Sequence, residues 1–184
     1  AGGGSINMNT VVKLTGTLTE AQTFITTKDN FTNNSNVVDI DLSGTIGDAA
    51  AVDTLSTDIR ALSGGTAEIN LTGVTAISGT FAQLETIIDD SGAVGSNSKF
   101  SGVAAQELTE DSGGTISVAN ANKLSGATTG KVTATITTGS LATLNGLSAA
   151  AQPANGDAFA LTLNDATVDA GDLATLDSKV DQAG

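Results

Sequence analysis

The chain has 184 residues, with 20 acidic and 7 basic side chains, a net charge of −13, and neither His nor Cys. This acidic balance argues against binding to nucleic acid or to an anionic membrane surface, because phosphate contacts need clustered Lys and Arg. The lack of Cys excludes disulfides and thiolate chemistry, and no stretch approaches the roughly 18 apolar residues of a membrane span, so we expect no membrane insertion.

The first predicted elements belong to a repeat. We expect residues 1–9 to be a linker or a processed N-terminus, and residues 10–184 to form a single domain. Four leucines serve as reference positions of the repeat: Leu14, Leu42, Leu71 and Leu163. Apolar residues stand 4 and 2 residues before the reference leucine and 10, 13 and 17 residues after it in three of the four copies. The exceptions, Thr10 and Thr27, both fall in the first copy.

Each repeat is predicted to combine a strand, a polar turn and a short helix. Spacing of two before the reference leucine places one face of a strand inward, and the later spacing places an apolar stripe along one side of a helix. Residues that can cap a helix start agree with this interpretation: Asp48, Ser140, and Asp169 or Asp172. Gly64-Gly65 is the expected stop signal after the second helix.

The repeats differ in length along the chain. Long repeats are predicted at 10–35, 36–65, 66–95 and 158–184, and shorter or irregular repeats at 96–157. In the irregular part we expect strand positions at Phe100, at Ile116 with Val118, and at Ile136, and helix positions at Ala121 with Leu124 and from Leu141.

These units predict an α/β fold, a right-handed α/β solenoid of about seven strand-turn-helix repeats with one parallel sheet. A unit this small buries its apolar face only by stacking on its neighbours, with strands about 4.8 Å apart. The architecture is like that of a leucine-rich repeat, although the Asn or Cys that follows the strand leucines in that family is missing. The predicted core consists of Leu14, Leu42, Leu71 and Leu163 with Val52, Phe81 and Leu173.

Candidate catalytic residues are few. Paired acids such as Asp39 with Asp41, or Asp89 with Asp90, could in principle hydrolyse a glycoside. Alternation places the first pair on the solvent face of a strand, however, and the second pair follows a helix at a loop. Because nucleophile-elbow, P-loop and dinucleotide motifs are also absent, we expect no enzymatic activity.

Calcium is the one cofactor that the sequence leaves open, because this ion takes several oxygen ligands. The candidate ligands are Asp39, Glu68, Asp89 and Asp90. In the long-repeat register Asp39 lies beside Glu68, a like-charge pair that lowers stability unless water or a cation separates it. No EF-hand or calcium nonapeptide occurs, so a solvated acidic face is favoured over a metal site.

The outward strand residues are predicted to form a polar face without aromatic side chains, and they include Glu68, Asn70, Thr133, Thr135 and Thr162. A sugar-stacking site usually needs aromatic residues, so lectin activity is not indicated. Lys13 is expected to lie against Asp41 and to help set the strand register.

Neither end of the predicted array has an evident polar cap, although solenoids normally finish with one. The first strand begins by Val11, and the last helix extends to within a few residues of Gly184. We therefore expect either neighbouring repeats of a longer array or copies of the protein, end to end, as partners.

Two stretches resemble a known class of repeats. ISVANANKLSGATTGKVTATITTGSLATLNGL and FALTLNDATVDAGDLATLDSKV are similar to repeats in giant surface-layer and adhesin-like proteins of marine cyanobacteria and in virion proteins of their phages. The resemblance covers residues 114–184 and extends to the earlier part only by pattern. It implies a non-enzymatic structural module, a rigid spacer, stalk or adhesive segment, in an extracellular, cell-surface or virion protein. The alternative is a filament or appendage subunit that stacks end to end, with calcium linkage as a further option.

Overall fold

The computed structural model describes residues 6–32, 39–93, 98–148 and 156–180, which form a mixed α/β fold with a mostly parallel sheet and six α-helices. The strands are β1 Ile6–Asn7, β2 Lys13–Gly16, β3 Phe31–Thr32, β4 Asp39–Ile46, β5 Glu68–Gly79, β6 Ser91–Gly92, β7 Phe100–Ser101, β8 Glu107–Glu110, β9 Val132–Thr135 and β10 Ala158–Ala160. The helices are α1 Leu18–Thr27, α2 Ala49–Leu62, α3 Phe81–Asp89, α4 Val118–Ala127, α5 Leu141–Leu144 and α6 Ala170–Asp177.

The main path of the larger sheet follows the order of the chain. Strands β2, β4, β5, β8, β9 and β10 lie side by side in that order, and each of these pairings is parallel. Parallel neighbours need a crossover connection, and α1 to α5 lie in the five successive crossovers. Strands β1 and β3 form a separate two-stranded parallel sheet.

Side chains that cap the free amides set the helix starts. Asp48, Ser140 and Asp169 cap α2, α5 and α6, as the sequence predicts. Thr17 and Thr80 also cap α1 and α3, each in a reciprocal capping box with the residue three positions later. The repeat pattern did not predict these two caps.

The core lies between the sheet and the helices. Three predicted core residues are at most 1% exposed: Leu42, Val52 and Leu71. Three others are partly buried against the core: Leu14, Phe81 and Leu163. Leu173 is 40% exposed and lines an open groove beside α6, so its assignment to the core is wrong.

Two strand registers differ from the predicted alignment. Leu14 pairs with Ile40 and not with Leu42. Phe100 pairs with Ile69 and not with Leu71. Because side chains alternate with a period of two, a shift of two residues leaves the same residues facing the core. The apolar pattern therefore predicts the buried face but not the register.

The fifth predicted strand is also corrected. Ile116 forms a parallel bridge, but Val118 is the first residue of α4 and not a strand residue. The hydroxyl of Ser117 caps this helix and so ends the extended segment. Ala121 and Leu124 are buried on α4, as predicted.

Strand β5 is the point at which the sheet branches. Its Ile69 and Asn70 pair with β7, whereas the segment from Ala76 to Gly79 pairs with β8. Relative to β4, β5 contains two register irregularities, which is the effect of bulges in one strand of a pair. Between β7 and β8 the described chain forms a 3-10 turn, Val103–Ala105, in place of an α-helix.

The side chain of Gln106 fills the gap between β7 and β8. It is 1% exposed, and its Nε2 donates to the backbone oxygens of Leu71 at 2.9 Å and Val74 at 3.2 Å. Its Oε1 accepts from the backbone N–H of Ala105 at 3.1 Å. Gln106 thus donates to two carbonyl groups of β5 in the stretch between its pairings with β7 and with β8.

Candidate functional site

A polar cluster links three neighbouring strands on the sheet face opposite the core. Asp41 Oδ1 accepts from Lys13 Nζ at 3.2 Å and from Asn70 Nδ2 at 3.1 Å. The predicted contact of Lys13 with Asp41 is thereby confirmed. Both side chains of this ion pair are about one third or more exposed, so it contributes modestly to stability. Other residues of the predicted polar face are exposed: Thr133, Thr135 and Thr162.

The first pair of calcium candidates lies on β4 and β5. Asp39 is directly beside Glu68, as predicted. Glu68 is not solvated, however: it is 4% exposed, and its Oε1 accepts from the hydroxyl of Ser101 at 2.5 Å. The prediction of a solvated Glu68 is wrong because β7 places Ser101 against it. Two adjacent carboxylates supply few of the six to eight oxygens that calcium takes.

The second pair of calcium candidates lies at the end of α3, and both acids contact lysines. Lys123 Nζ is 2.8 Å from Asp89 and 2.8 Å from Glu85, while Lys99 Nζ is 2.7 Å from Asp90. The hydrogen bonds to Asp89 and then Glu85 raise the pKa of Lys123, and the hydrogen bond to Asp90 raises the pKa of Lys99. Among the described residues, no group of three or more His, Cys, Asp or Glu is arranged to hold a metal ion.

A buried carboxylate that the sequence pattern did not single out joins the last three repeats, by linking α4, β9 and the segment before β10. Asp157 is 4% exposed; its Oδ2 accepts from Ser125 Oγ at 2.5 Å, and its Oδ1 accepts from the backbone N–H of Val132 at 2.9 Å. Both oxygens therefore have donors, as a buried carboxylate requires. No periodic signal distinguishes this Asp from the exposed acids around it.

Polar side chains also connect successive helices. Lys123 of α4 reaches α3, as described above. Asn122 of α4 donates to the backbone oxygen of Gly146 at 2.9 Å and accepts from the N–H of Ser148 at 2.8 Å, just after α5. Lys179, after α6, donates through Nζ to the backbone oxygen of Asn145, which caps the C-terminal end of α5. Each of these helices is thus held to the preceding or following one by a specific contact.

An open apolar groove lies on the last described repeat, with a volume of about 550 Å³. All of its lining residues belong to positions 161–180: Leu161, Leu163, Ala170, Leu173, Ala174, Leu176, Asp177 and Val180. No residue of α5 contributes to it, so the groove is the outer surface of a single strand-helix layer.

None of the helices in the described ranges is long and apolar enough to cross a membrane. The two candidate functional surfaces are therefore the polar sheet face around Asp41 and the apolar groove beside α6. Comparison of the chain with protein-family models, curated proteins and solved structures gives no match.

Proposed function

We propose that the chain is a right-handed α/β solenoid and a non-enzymatic structural repeat module: a rigid spacer, stalk or adhesive segment of an extracellular surface or virion protein. The observation that carries this proposal is that the six strands of the main sheet path, β2, β4, β5, β8, β9 and β10, lie side by side in chain order. In a solenoid each repeat packs only on its neighbours, and this order is the expected result.

The contacts between successive helices support a rigid element. Helix pairs α1 with α2, α2 with α3, α3 with α4, and α5 with α6 pack on each other. The contacts of Lys123, Asn122 and Lys179 add directional hydrogen bonds to this apolar packing. Directional contacts between repeats resist bending of one repeat against the next.

A non-enzymatic role is supported by the side chains themselves. The chain has no His or Cys to act as a general base or thiolate nucleophile. Of the paired acids, Asp41 binds Lys13, and Asp89 and Asp90 bind lysines. Engagement of these carboxylates in ion pairs favours a structural role for them.

Antibody labelling tests the proposed location. Antibodies raised against the purified protein should label intact cells or virus particles of the source, as seen by immunogold electron microscopy without permeabilisation. Labelling that appears only after permeabilisation would contradict a surface role. A preparation treated with preimmune serum is the matched control.

A subunit that stacks end to end is the second candidate, and the apolar groove on the last repeat favours it. A calcium-linked version would use Asp39 and Glu68, which lie side by side, together with backbone or water oxygens. Sedimentation with added calcium and with a chelator tests this version, because calcium-linked assemblies should dissociate when the chelator is added. Identical sedimentation in both conditions would remove calcium from the proposal.

A further inference from the structure

A reactive dipeptide, asparagine followed by glycine, stands directly after helix α5. Because Gly146 has no Cβ, no side chain shields its backbone nitrogen from the side-chain amide of Asn145. Close packing explains why glycine stands here: an added Cβ would lie 3.0 Å from the backbone oxygen of Thr143 and 3.4 Å from Cγ1 of Val118. Packing against α4 thus favours the same residue that makes the preceding asparagine reactive.

Cyclisation with loss of ammonia is the reaction open to this dipeptide. The backbone nitrogen of Gly146 attacks Cγ of Asn145, so that a bond between these two atoms forms and the bond from Cγ to Nδ2 breaks. Nδ2 leaves as ammonia and takes up the proton released from the nitrogen of Gly146. Water then hydrolyses either carbon–nitrogen bond of the cyclic imide. The product is aspartate or its isoaspartyl isomer, in which Cβ becomes part of the backbone.

The side chain of Asn145 is held only weakly. Its Nδ2 donates to the backbone oxygen of Asp172 at 3.4 Å, which is longer than the usual distance of about 2.7–3.2 Å. Its Oδ1 is buried, and among the described residues no donor reaches it. A buried amide oxygen without a donor is unfavourable. The hydrogen bonds of this side chain therefore do little to restrain the attack on Cγ.

The peptide group between Asn145 and Gly146 is instead held at both of its polar atoms. Its oxygen accepts from Nζ of Lys179, just after α6, and its N–H donates to the backbone oxygen of Thr143 at 3.0 Å. Asn145 has a ψ of −11°. Ring closure needs a large rotation about this bond, because Cβ and the attacking nitrogen must become nearly eclipsed. Since the peptide group is planar, that rotation moves its oxygen and its N–H together and breaks both contacts.

A contact with α4 holds the next carbonyl group. Asn122 donates through Nδ2 to the backbone oxygen of Gly146 at 2.9 Å, and its Oδ1 accepts from the N–H of Ser148 at 2.8 Å. A local opening that frees this segment must break these bonds as well as the contact of Lys179. The dipeptide can therefore react only when α5 separates from its neighbours.

We propose that Asn145-Gly146 is a deamidation site that the contacts of α5 with α4 and α6 suppress, so that it reacts when those contacts open. The isoaspartyl product lengthens the backbone by one atom. This change displaces Gly146 from Asn122, so a reacted α5 does not return to its original contacts. The inference goes beyond the proposed spacer function and does not rest on it.

The first test compares the native and the unfolded full chain at mildly alkaline pH. Peptide mapping by mass spectrometry follows the conversion of Asn145 in buffer and in urea. The native rate should be at least about tenfold lower than the rate in urea, because the reaction requires opening. Asn155-Gly156 is the same dipeptide, outside the described residues, and its conversion in urea gives the unrestrained rate. Equal native and unfolded rates at Asn145 would overturn the proposal.

The second test removes the restraints one at a time. Lys179→Ala and Asn122→Ala should each raise the native rate at Asn145 several-fold and leave the rate in urea unchanged. Lys13→Ala removes a lysine from β2, at the other end of the main sheet path, and is the matched control that should react like the wild type. Circular dichroism checks that each variant remains folded. If neither variant raised the native rate, contacts with α4 and α6 would not be the restraint, and the proposal would fail.

Refolding tests the irreversible step. Reacted and unreacted chains from the same urea incubation are refolded together and separated by chromatography, because the reaction converts an amide into a carboxylate. Amide hydrogen exchange in residues 145–147 should be faster in the isoaspartyl chains than in the unreacted ones, since the backbone N–H groups of Asn145 and Leu147 donate within this segment. Equal exchange rates would refute the loss of the original contacts.

Discussion

Replacement of Gln106 by Met is expected to destabilise the protein strongly. Methionine has nearly the same length but no N–H, so the carbonyl groups of Leu71 and Val74 lose their donor. Both residues are at most 4% exposed, and water would have poor access to these oxygens. Each buried acceptor left unsatisfied costs about 1–3 kcal/mol, so the expected loss is about 2–6 kcal/mol. That is a large share of the 5–15 kcal/mol that typically holds a domain together.

Urea unfolding monitored by circular dichroism measures this loss as a lower midpoint at unchanged slope. Gln22→Met, at a partly exposed position of α1, is the matched control and should change stability by less than about 0.5 kcal/mol. Gln106→Glu should be at least as damaging as Gln106→Met, because a carboxylate would face two carbonyl oxygens. If Gln106→Met unfolded at the wild-type urea concentration, the role of this side chain as donor to the carbonyl groups of Leu71 and Val74 would be refuted.

Three further predictions, which use four substitutions, probe separate features. Leu71→Ala should lower the free energy of unfolding in urea by about 2–5 kcal/mol, because Leu71 is buried. Leu173→Ala should lower it by less than about 1 kcal/mol, because Leu173 is exposed. Equal losses for the two variants would contradict the assigned core. Gly102→Ala should lower the melting temperature, since Gly102 has φ +76° and an added Cβ would lie 2.4 Å from Thr72 Oγ1; an unchanged temperature would be the opposing result. The hydrogen bonds from the capping box lower the pKa of Glu20 below 4.5, so its contribution is present above that pH and is lost as the pH falls through the lowered value. The difference in unfolding free energy between the wild type and Glu20→Gln should therefore shrink as the pH falls. If this difference stayed constant with pH, the charge of Glu20 would not be the source of the stabilisation.

The sequence predicted the elements better than it predicted their pairing. Apolar spacing and capping residues such as Asp48 and Ser140 depend on local geometry, so they indicate where helices begin. The pairing of Leu14 with Ile40 depends on two distant segments, and a two-residue shift leaves the buried face unchanged. Val118 is a related case: spacing of two from Ile116 resembles a strand, and only the hydroxyl of Ser117 indicates that a helix starts there.

The polar interior could not be predicted from periodicity at all. Glu68, Gln106 and Asp157 are buried because a second segment supplies their hydrogen-bond partners. Those partners lie more than twenty residues away, and nothing in the spacing relates the two segments. Of the calcium candidates, the adjacency of Asp39 and Glu68 followed from the repeat, while the lysines opposite Asp89 and Asp90 did not.

The branching of the sheet at β5 has a mechanical consequence. Tension applied between the β2 and β10 edges would enter each edge strand through one end, so its backbone hydrogen bonds would break one after another. Most strands would then leave the sheet one at a time, beginning with the two edge strands. Because β5 pairs with both β7 and β8, the chain between those strands is anchored twice on one neighbour. Release of β8 alone would therefore free only the short segment between Ser101 and Glu107, and β7 would then resist in turn.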